Sequence, residues 1–428
     1  MNPVMNQYKM SSPAERARLR VVYALLGTVF FMPVNLIAME ICLALAVVFA
    51  VFCGWKYGFG PAPSIPLLVP AAGFFFSTLL SLVGSPHGLM GFAFYCFTIV
   101  QYALLYMLVI FFVRGQVERH LLLTGLFVSA AVVCLYGLYQ YAHMLTLGEA
   151  AWVDNSAFPL LQRRMYSTLY NPNLLSSFLL MVMGAAASMT ICTGHRSHRW
   201  LYVGLFAALS LCLILTYSRG AWLSAAALVL FFGFVWDKRL WALFLLVPPV
   251  LLFYRGGVTN RLMSIFSYSE ADTSVSMRLD MWNGALEMLG DHPVLGIGWG
   301  AFKYMYPVYN EFIQQAGITI YHAHNMFFNI AAETGLAGFF FFLWFFLGCG
   351  WYGLKVLRRG GLSHFDRAAA MTMSAAVISQ AVCGLGDYDL FSTQISLTFW
   401  LLCGIFSNMF IDIQKIRKKV CEIIHNDI

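Results

Sequence analysis

Long apolar runs, most of them close to the thickness of a bilayer, alternate along this chain with short polar gaps whose cations are sorted by side. A helix needs roughly 20 mostly apolar residues to cross a hydrocarbon core. The runs 20–37, 39–54, 65–84, 91–113, 120–145, 171–193, 200–217, 220–236, 240–254, 336–357, 366–386 and 391–412 meet or approach that length. Of the 26 Lys and Arg residues, nineteen lie in seven gaps: the N-terminus up to Arg20, Lys56, Arg114 with Arg119, Arg196 with Arg199, Lys238 with Arg239, Lys355 to Arg367, and Lys415 to Lys419. The positive-inside bias assigns these to the cytoplasm. The expected fold is an all-α polytopic membrane protein of about 12 transmembrane helices, with both termini cytoplasmic and a large periplasmic loop carrying short helices. The first two runs are the hardest to separate, because little polar sequence divides them and Pro33 falls in the first.

Composition agrees. Sixty per cent of the residues are hydrophobic and 11% charged, whereas a soluble domain is about one quarter charged. No apolar stretch precedes Arg20, so no cleavable signal peptide is expected. The net charge of +7 sits at membrane edges, which makes membrane lipids the expected surroundings and excludes nucleic acid as a partner. The ten cysteines form no C-x-x-C pair, and all but Cys421 lie in or beside apolar runs. They read as small buried apolar residues, with neither a disulfide framework nor a metal site.

The chain divides into an N-terminal bundle of about nine spans over 1–254, a periplasmic segment over 255–335, further spans over 336–413 and a basic cytoplasmic tail over 414–428. Two non-cytoplasmic loops exceed a tight turn, 146–170 and 255–322, and the second is long enough to be functional. Within it Met281, Ala285, Met288 and Leu289 share a helical face that ends at Asp291-His292-Pro293. The apolar stretch 323–334 is only about 18 Å long as a helix, too short to span. It reads as a half-helix broken at Gly335. No inverted internal repeat of the transporter kind is present.

Seven cations run against the bias: Arg163, Arg164, Arg219, Arg255, Arg261, Arg278 and Lys303, on a face with twelve acidic residues. Topology does not need them, and a focused anion site does. Arg219, in Tyr217-Ser218-Arg219-Gly220-Ala221-Trp222, joins two apolar runs at the membrane boundary. It is either an anion ligand or a snorkelling arginine. Arg278 opens the loop helix as an anion ligand or a surface partner of Asp280. Arg163 and Arg164 suit a phosphate or anionic sugar, and Arg261 is a further candidate. His322 and His324, two apart, point away from each other on a helix, so no shared metal ion is expected unless 322–324 is extended. His324 at the half-helix mouth is a candidate base, because its reference pKa is near neutral. Asn325 is either a site residue or an N-cap. Asp387 and Asp389, at the end of the penultimate span, could hold an arginine or a sugar hydroxyl, with Asp389 taken as the candidate. The glycines of Gly296-Ile297-Gly298-Trp299-Gly300 do not fit a dinucleotide fingerprint.

Together, Ser-Arg-Gly-Ala-Trp at 218–222, Arg278 with Trp282, His-Pro-Val-Leu-Gly-Ile-Gly-Trp-Gly at 292–300, and His-Asn at 324–325 followed by Glu-Thr-Gly-Leu-Ala-Gly at 333–338 resemble the O-antigen ligase and polymerase superfamily of bacterial inner-membrane proteins. The resemblance implies a GT-C-like helical glycosyltransferase with a periplasmic site. In its ligase branch, O-antigen passes from undecaprenyl pyrophosphate to the lipid A–core oligosaccharide. It also implies that Arg219 and Arg278 meet the pyrophosphate and that His324 acts in catalysis, with Arg163 a less distinctive addition. An O-antigen polymerase, a protein O-oligosaccharyltransferase and, in a different class, a polysaccharide or lipid exporter are the alternatives. No cofactor is expected. No D-x-D cluster for a hard cation lies on the outer face, and arginines can neutralise a departing diphosphate instead.

Overall fold

The computed structural model describes residues 12–60, 62–143, 163–246, 248–249, 259, 263 and 273–426. Prolines and side-chain caps cut the apolar sequence into helices. α1 (Pro13–Phe31) begins at Ser12, whose hydroxyl accepts the Glu15 N–H, with Pro13 at the first helical position. Pro33 lacks an N–H, and the helix stops just before it. α2 (Leu36–Tyr57) restarts at Asn35, whose side chain accepts the Ala38 N–H at 2.9 Å. The first two runs are therefore separate helices that pack on each other.

Next come α3 (Leu68–Leu80), α4 (Gly88–Phe112), α5 (Gly115–Ala142), α6 (Pro172–Cys192), α7 (Arg196–Leu215) and α8 (Arg219–Val235). The loop supplies α9 (Thr273–Asp291), α10 (Phe302–Tyr309) and α11 (Glu311–Ala316). α12 (Met326–Leu357), α13 (His364–Gly384) and α14 (Thr393–Asn426) complete the chain. The described residues contain no strand. Seven helices (α2, α4, α5, α6, α7, α12 and α14) are long and apolar enough to cross a membrane, and α3 and α8 are shorter apolar helices. The protein is a multi-pass membrane protein. Of the twelve expected runs, seven coincide with these long apolar helices and two with the shorter ones; 20–37 and 366–386 form α1 and α13, which fall in neither set, and 240–254 begins as a 3-10 helix, Lys238–Leu246, and continues mostly outside the described residues.

Small residues set the closest helix contacts, as expected where lipid gives no hydrophobic drive for association. A Cβ on Gly184 of α6 would lie 2.9 Å from Ala375 of α13, and one on Gly353 of α12 would lie 2.3 Å from the Ser374 hydroxyl. Large apolar side chains such as Phe76, Leu135, Phe234 and Trp351 face outward, as a lipid-facing surface requires.

The two ends of the bundle hold different polar gaps. At one end, Arg18 pairs with Glu15 and Glu118, and Arg119 with Asp412 and Asn408. At the other, α12 breaks at Gly335 (φ 65°, ψ −173°). The break frees the carbonyls of Ala332 and Glu333, which need new donors. The amides of Ile297 and Gly298 supply them at 2.9 and 3.0 Å, and Leu336 N–H returns to Pro293 O at 2.8 Å. Gly296, at φ 71°, has no room for a side chain, since its Cβ would fall 2.5 Å from Ala332 O. The glycine-rich motif is thus a clasp on the broken helix. Trp299, fully buried, anchors it: its indole N–H donates to Thr98, in the π-helical turn Cys96–Val100 of α4.

Candidate functional site

The first part of α12, ending at the Gly335 break, is the half-helix expected from sequence. Asn325 caps it, accepting the N–H groups of Phe327 and Phe328 at 3.0 and 3.1 Å while its own amide donates to Leu385 O. Asn325 is only 4% exposed, and both ends of its amide are engaged in the scaffold. Of its two readings, the cap is the one the geometry displays. Just before it, the chain is not helical. His324 adopts φ 48°, a left-handed conformation that is strained for a residue with a Cβ. Asn329 reaches back from the first turn of α12 to accept the Ala323 N–H at 2.9 Å.

This strained turn brings two histidine rings together, with centroids 4.3 Å apart. Their roles differ. His322 Nδ1 accepts the His324 backbone N–H at 3.3 Å, so the proton of the neutral ring sits on Nε2. Burial, and then the charges of His324 and Arg278, push His322 down to about 4, against the pull of Asp387. His324 Nδ1 meets Asp387 Oδ1 at 2.9 Å. Burial alone would raise the Asp387 pKa, but the His324 hydrogen bond and the charges of His324, His322 and Arg278 hold the carboxyl well below the usual range. An ionised Asp387 fixes the proton of a neutral His324 on Nδ1 and leaves the Nε2 lone pair free. The His324 side chain is 36% exposed, so that lone pair is reachable.

Asp387 is itself held. It accepts from Asn173 Nδ2 at 2.6 Å and from the Tyr388 N–H at 2.9 Å. Asn173 passes the connection to Arg164, whose Nη2 donates to Asn173 Oδ1 at 2.9 Å while Nε donates to Thr216 O at 2.7 Å. Asp389 lies next to this row without touching either histidine, and accepts from Ser177 at 2.8 Å. Burial, and then the neighbouring Asp387 charge, drive its pKa well up. Two carboxylates this close do not both ionise readily. Sequence singled out Asp389; the carboxylate that meets His324 is Asp387.

The arginines separate as well. Arg164 is tied into the scaffold. Arg163 packs its guanidinium 4.2 Å over the Tyr141 ring, and its Nη1 is buried without a hydrogen-bond partner among the described residues. The Met165 N–H bonds to Leu215 O at 2.9 Å, which stitches the Arg163–Arg164 segment to the end of α7, next to Arg219 at the start of α8. Arg278 lies on α9, and its charge reaches His322, Asp387 and Asp389. Arg261 falls outside the described residues, as do 146–162 and most of 250–272.

The helix-based reason for doubting a shared ion does not apply to this turn. Ligand atoms of His322, His324 and Asp387 lie within 4.8 Å of one another, a donor set that suits a borderline cation such as zinc. Their hydrogen bonds use the same atoms otherwise: one joins His324 to Asp387, and another engages His322 Nδ1. Sequence reasoning missed the roles of Asn173 and Asp387. The one signal was the cluster of capping and turn residues near the paired arginines, Asn171-Pro172-Asn173.

No curated protein matches the chain. Residues 203–343 match the protein family described as O-antigen ligase. The matched stretch starts in α7, takes in Arg219, Arg278 and the clasp, and ends in α12 beyond His324 and Gly335. That family comprises glycosyltransferase-like enzymes acting on polysaccharide or lipid-linked substrates, and over this stretch, about a third of its length, this multi-pass membrane protein is similar to them.

Proposed function

We propose that the protein transfers O-antigen polysaccharide from undecaprenyl pyrophosphate to the lipid A–core oligosaccharide, at the periplasmic face of the bacterial inner membrane. The observation that carries the reading is the His324–Asp387 pair beside a set of arginines. Asp387 keeps the proton of His324 on Nδ1. His324 Nε2 takes the proton from the acceptor hydroxyl as its oxygen attacks the anomeric carbon of the donor. The bond from that carbon to the pyrophosphate oxygen breaks, and its electron pair leaves with undecaprenyl pyrophosphate. Arg163, Arg219 and Arg278 neutralise the charge that develops on the leaving group. One displacement inverts the anomeric centre. The arginines take the part that a divalent cation plays in other pyrophosphate-dependent transferases, so the reaction is metal-independent.

The lipopolysaccharide of a deletion strain tests this. Accumulated lipid-linked O-antigen together with bare core is the expected profile. Core carrying a single repeat would assign the chain to the polymerase branch instead. Unchanged lipopolysaccharide, with proteins losing a glycan, would assign it to protein glycosylation.

A further inference from the structure

His322 lines a cavity of about 460 Å³ that touches none of His324, Asp387, Arg163 and Arg164. Phe94, Lys303, Tyr304, Tyr321, His322 and Tyr388 line it, with the carboxyl of Glu333 among its walls. It has room for roughly one or two sugar rings and none for a polymer. Its aromatic walls are firmly backed. The His87 ring lies 4.2 Å from Tyr304, and Phe391 stacks on Tyr388 at 5.3 Å and 17°. Flat, fixed rings of this kind receive the C–H faces of sugars, and polar groups at their edges bind the hydroxyls.

Two features give the cavity a direction and a charge. His322 forms the wall between it and the base. Its Nδ1 is engaged by a backbone amide, so its Nε2–H is left to donate to a sugar oxygen. The Lys303 ammonium hangs 4.7 Å from the Tyr304 centroid and 5.8 Å from that of Tyr321. No ion pair among the described residues uses it. A cation held over two rings, with no carboxylate partner among the described residues, is poised for an anionic group on whatever enters.

We propose that this cavity is the acceptor-sugar subsite and that Lys303 selects acceptors bearing a negative charge, phosphate or carboxylate, close to the reacting hydroxyl. The inference rests on the transfer reaction proposed above. Donor pyrophosphate on the arginine side and acceptor sugar on the aromatic side then meet at His324.

The test uses the full-length protein in detergent, a lipid-linked donor, and three core-type acceptors alike except for a phosphate, a carboxylate or no charge. Lys303→Glu should raise the KM of a charged acceptor by about tenfold or more, the worth of one charged contact. The donor KM and the KM of the neutral acceptor should hold, and Lys303→Arg should restore the preference. The phosphate and carboxylate arms show which anion is selected. Unchanged acceptor KM values in Lys303→Glu, or a rise in the donor KM instead, would overturn the assignment while leaving transfer itself intact. Wild-type protein that transfers nothing would sink the functional reading. Saturation-transfer NMR with glucose 6-phosphate, glucuronate and glucose then reads the cavity directly. Binding of the two charged sugars that Lys303→Glu abolishes upholds an anionic-sugar site, and equal or absent binding of all three overturns it.

Discussion

The cations at the two ends of the bundle are treated differently. At the Arg18 end, a guanidinium that is 4% exposed is held by Glu15, Glu118 and the carbonyl of Phe112, and Arg119 is held by Asp412 and Asn408. At the His324 end, Arg163 keeps a buried nitrogen without a hydrogen-bond partner among the described residues, and Lys303 rests on tyrosine faces. Arg164, the scaffold member of that set, donates to Thr216 O and Asn173 Oδ1. Buried charge is costly unless it is paired. The first end pairs its cations within the protein; at the second, Arg163 and Lys303 make no ion pair among the described residues. Under the proposed function, an anionic substrate would supply the missing partner.

The largest effect should come from the histidine that joins the two sides of the site. His324→Ala should lower turnover roughly 10²–10⁴-fold, the usual worth of a general base, with donor binding retained. Asp387→Asn should also be severe, because the amide can hold the wrong tautomer of His324. His322→Ala should be much milder. Turnover and donor affinity measured separately on purified protein would decide. A variant at 324 with normal turnover and weak donor binding would make His324 a phosphate ligand.

Next, exchanging a cation at each end should give opposite phenotypes. Arg278→Ala and Arg163→Ala should each reduce transfer by about 10²-fold, if their charged contacts act mainly in the transition state. Thermal stability should barely change, and Lys should rescue poorly, since it offers a point charge in place of a fork. Arg18→Ala should instead cost about 3–5 kcal/mol of stability by stranding Glu118. Equal loss of stability at both ends would erase the distinction drawn between them.

How far the sequence foretold this depends on range. The helices follow from local signals, and so do their ends at Pro33, Asn35 and Asn171. The half-helix was legible from length and Gly335 alone. The Asp387–His324 contact joins residues 63 apart, and Asn173–Asp387 joins residues 214 apart. Nothing local in Gly386-Asp387-Tyr388-Asp389 says which carboxylate turns inward. The expectation that His322 and His324 diverge was a helix argument, and the left-handed backbone at His324 removed its premise. Phe94, the Lys303-Tyr304 pair, Tyr321 and Tyr388 come from segments separated in the chain, so their cavity has no sequence signature.

That histidine turn also predicts a metal response of intermediate size. Transfer should survive EDTA, because arginines supply the charge. Added zinc should inhibit, by drawing His324 and Asp387 out of their hydrogen bond and onto the ion with His322. Inhibition should weaken in His322→Gln. Loss of transfer on EDTA treatment, restored by one metal, would move the charge-neutralising role from the arginines to that ion.

The smallest effect asks whether the wall between the two sides is as dry as the Arg18 end. Burial, with His324 and Arg278 also acting and Asp387 opposing them, holds His322 at about 4, against 6.5 for a free histidine. As pH falls, the unfolded chain takes up this proton first. The depressed folded value therefore leaves stability complete above 6.5 and erodes it between 6.5 and about 4. The 2.5-unit gap, 6.5 minus 4, corresponds to about 3 kcal/mol at most. Asp387 contributes in a separate window: its folded value lies below 3.8, so its share is lost only at lower pH. His322→Gln keeps a hydrogen-bonding side chain and cannot titrate. Its thermal midpoint in detergent should thus fall less steeply than the wild type's from pH 6.5 to 4. Parallel profiles would mean that water already reaches His322, and that the wall separating acceptor from base is open in the resting protein.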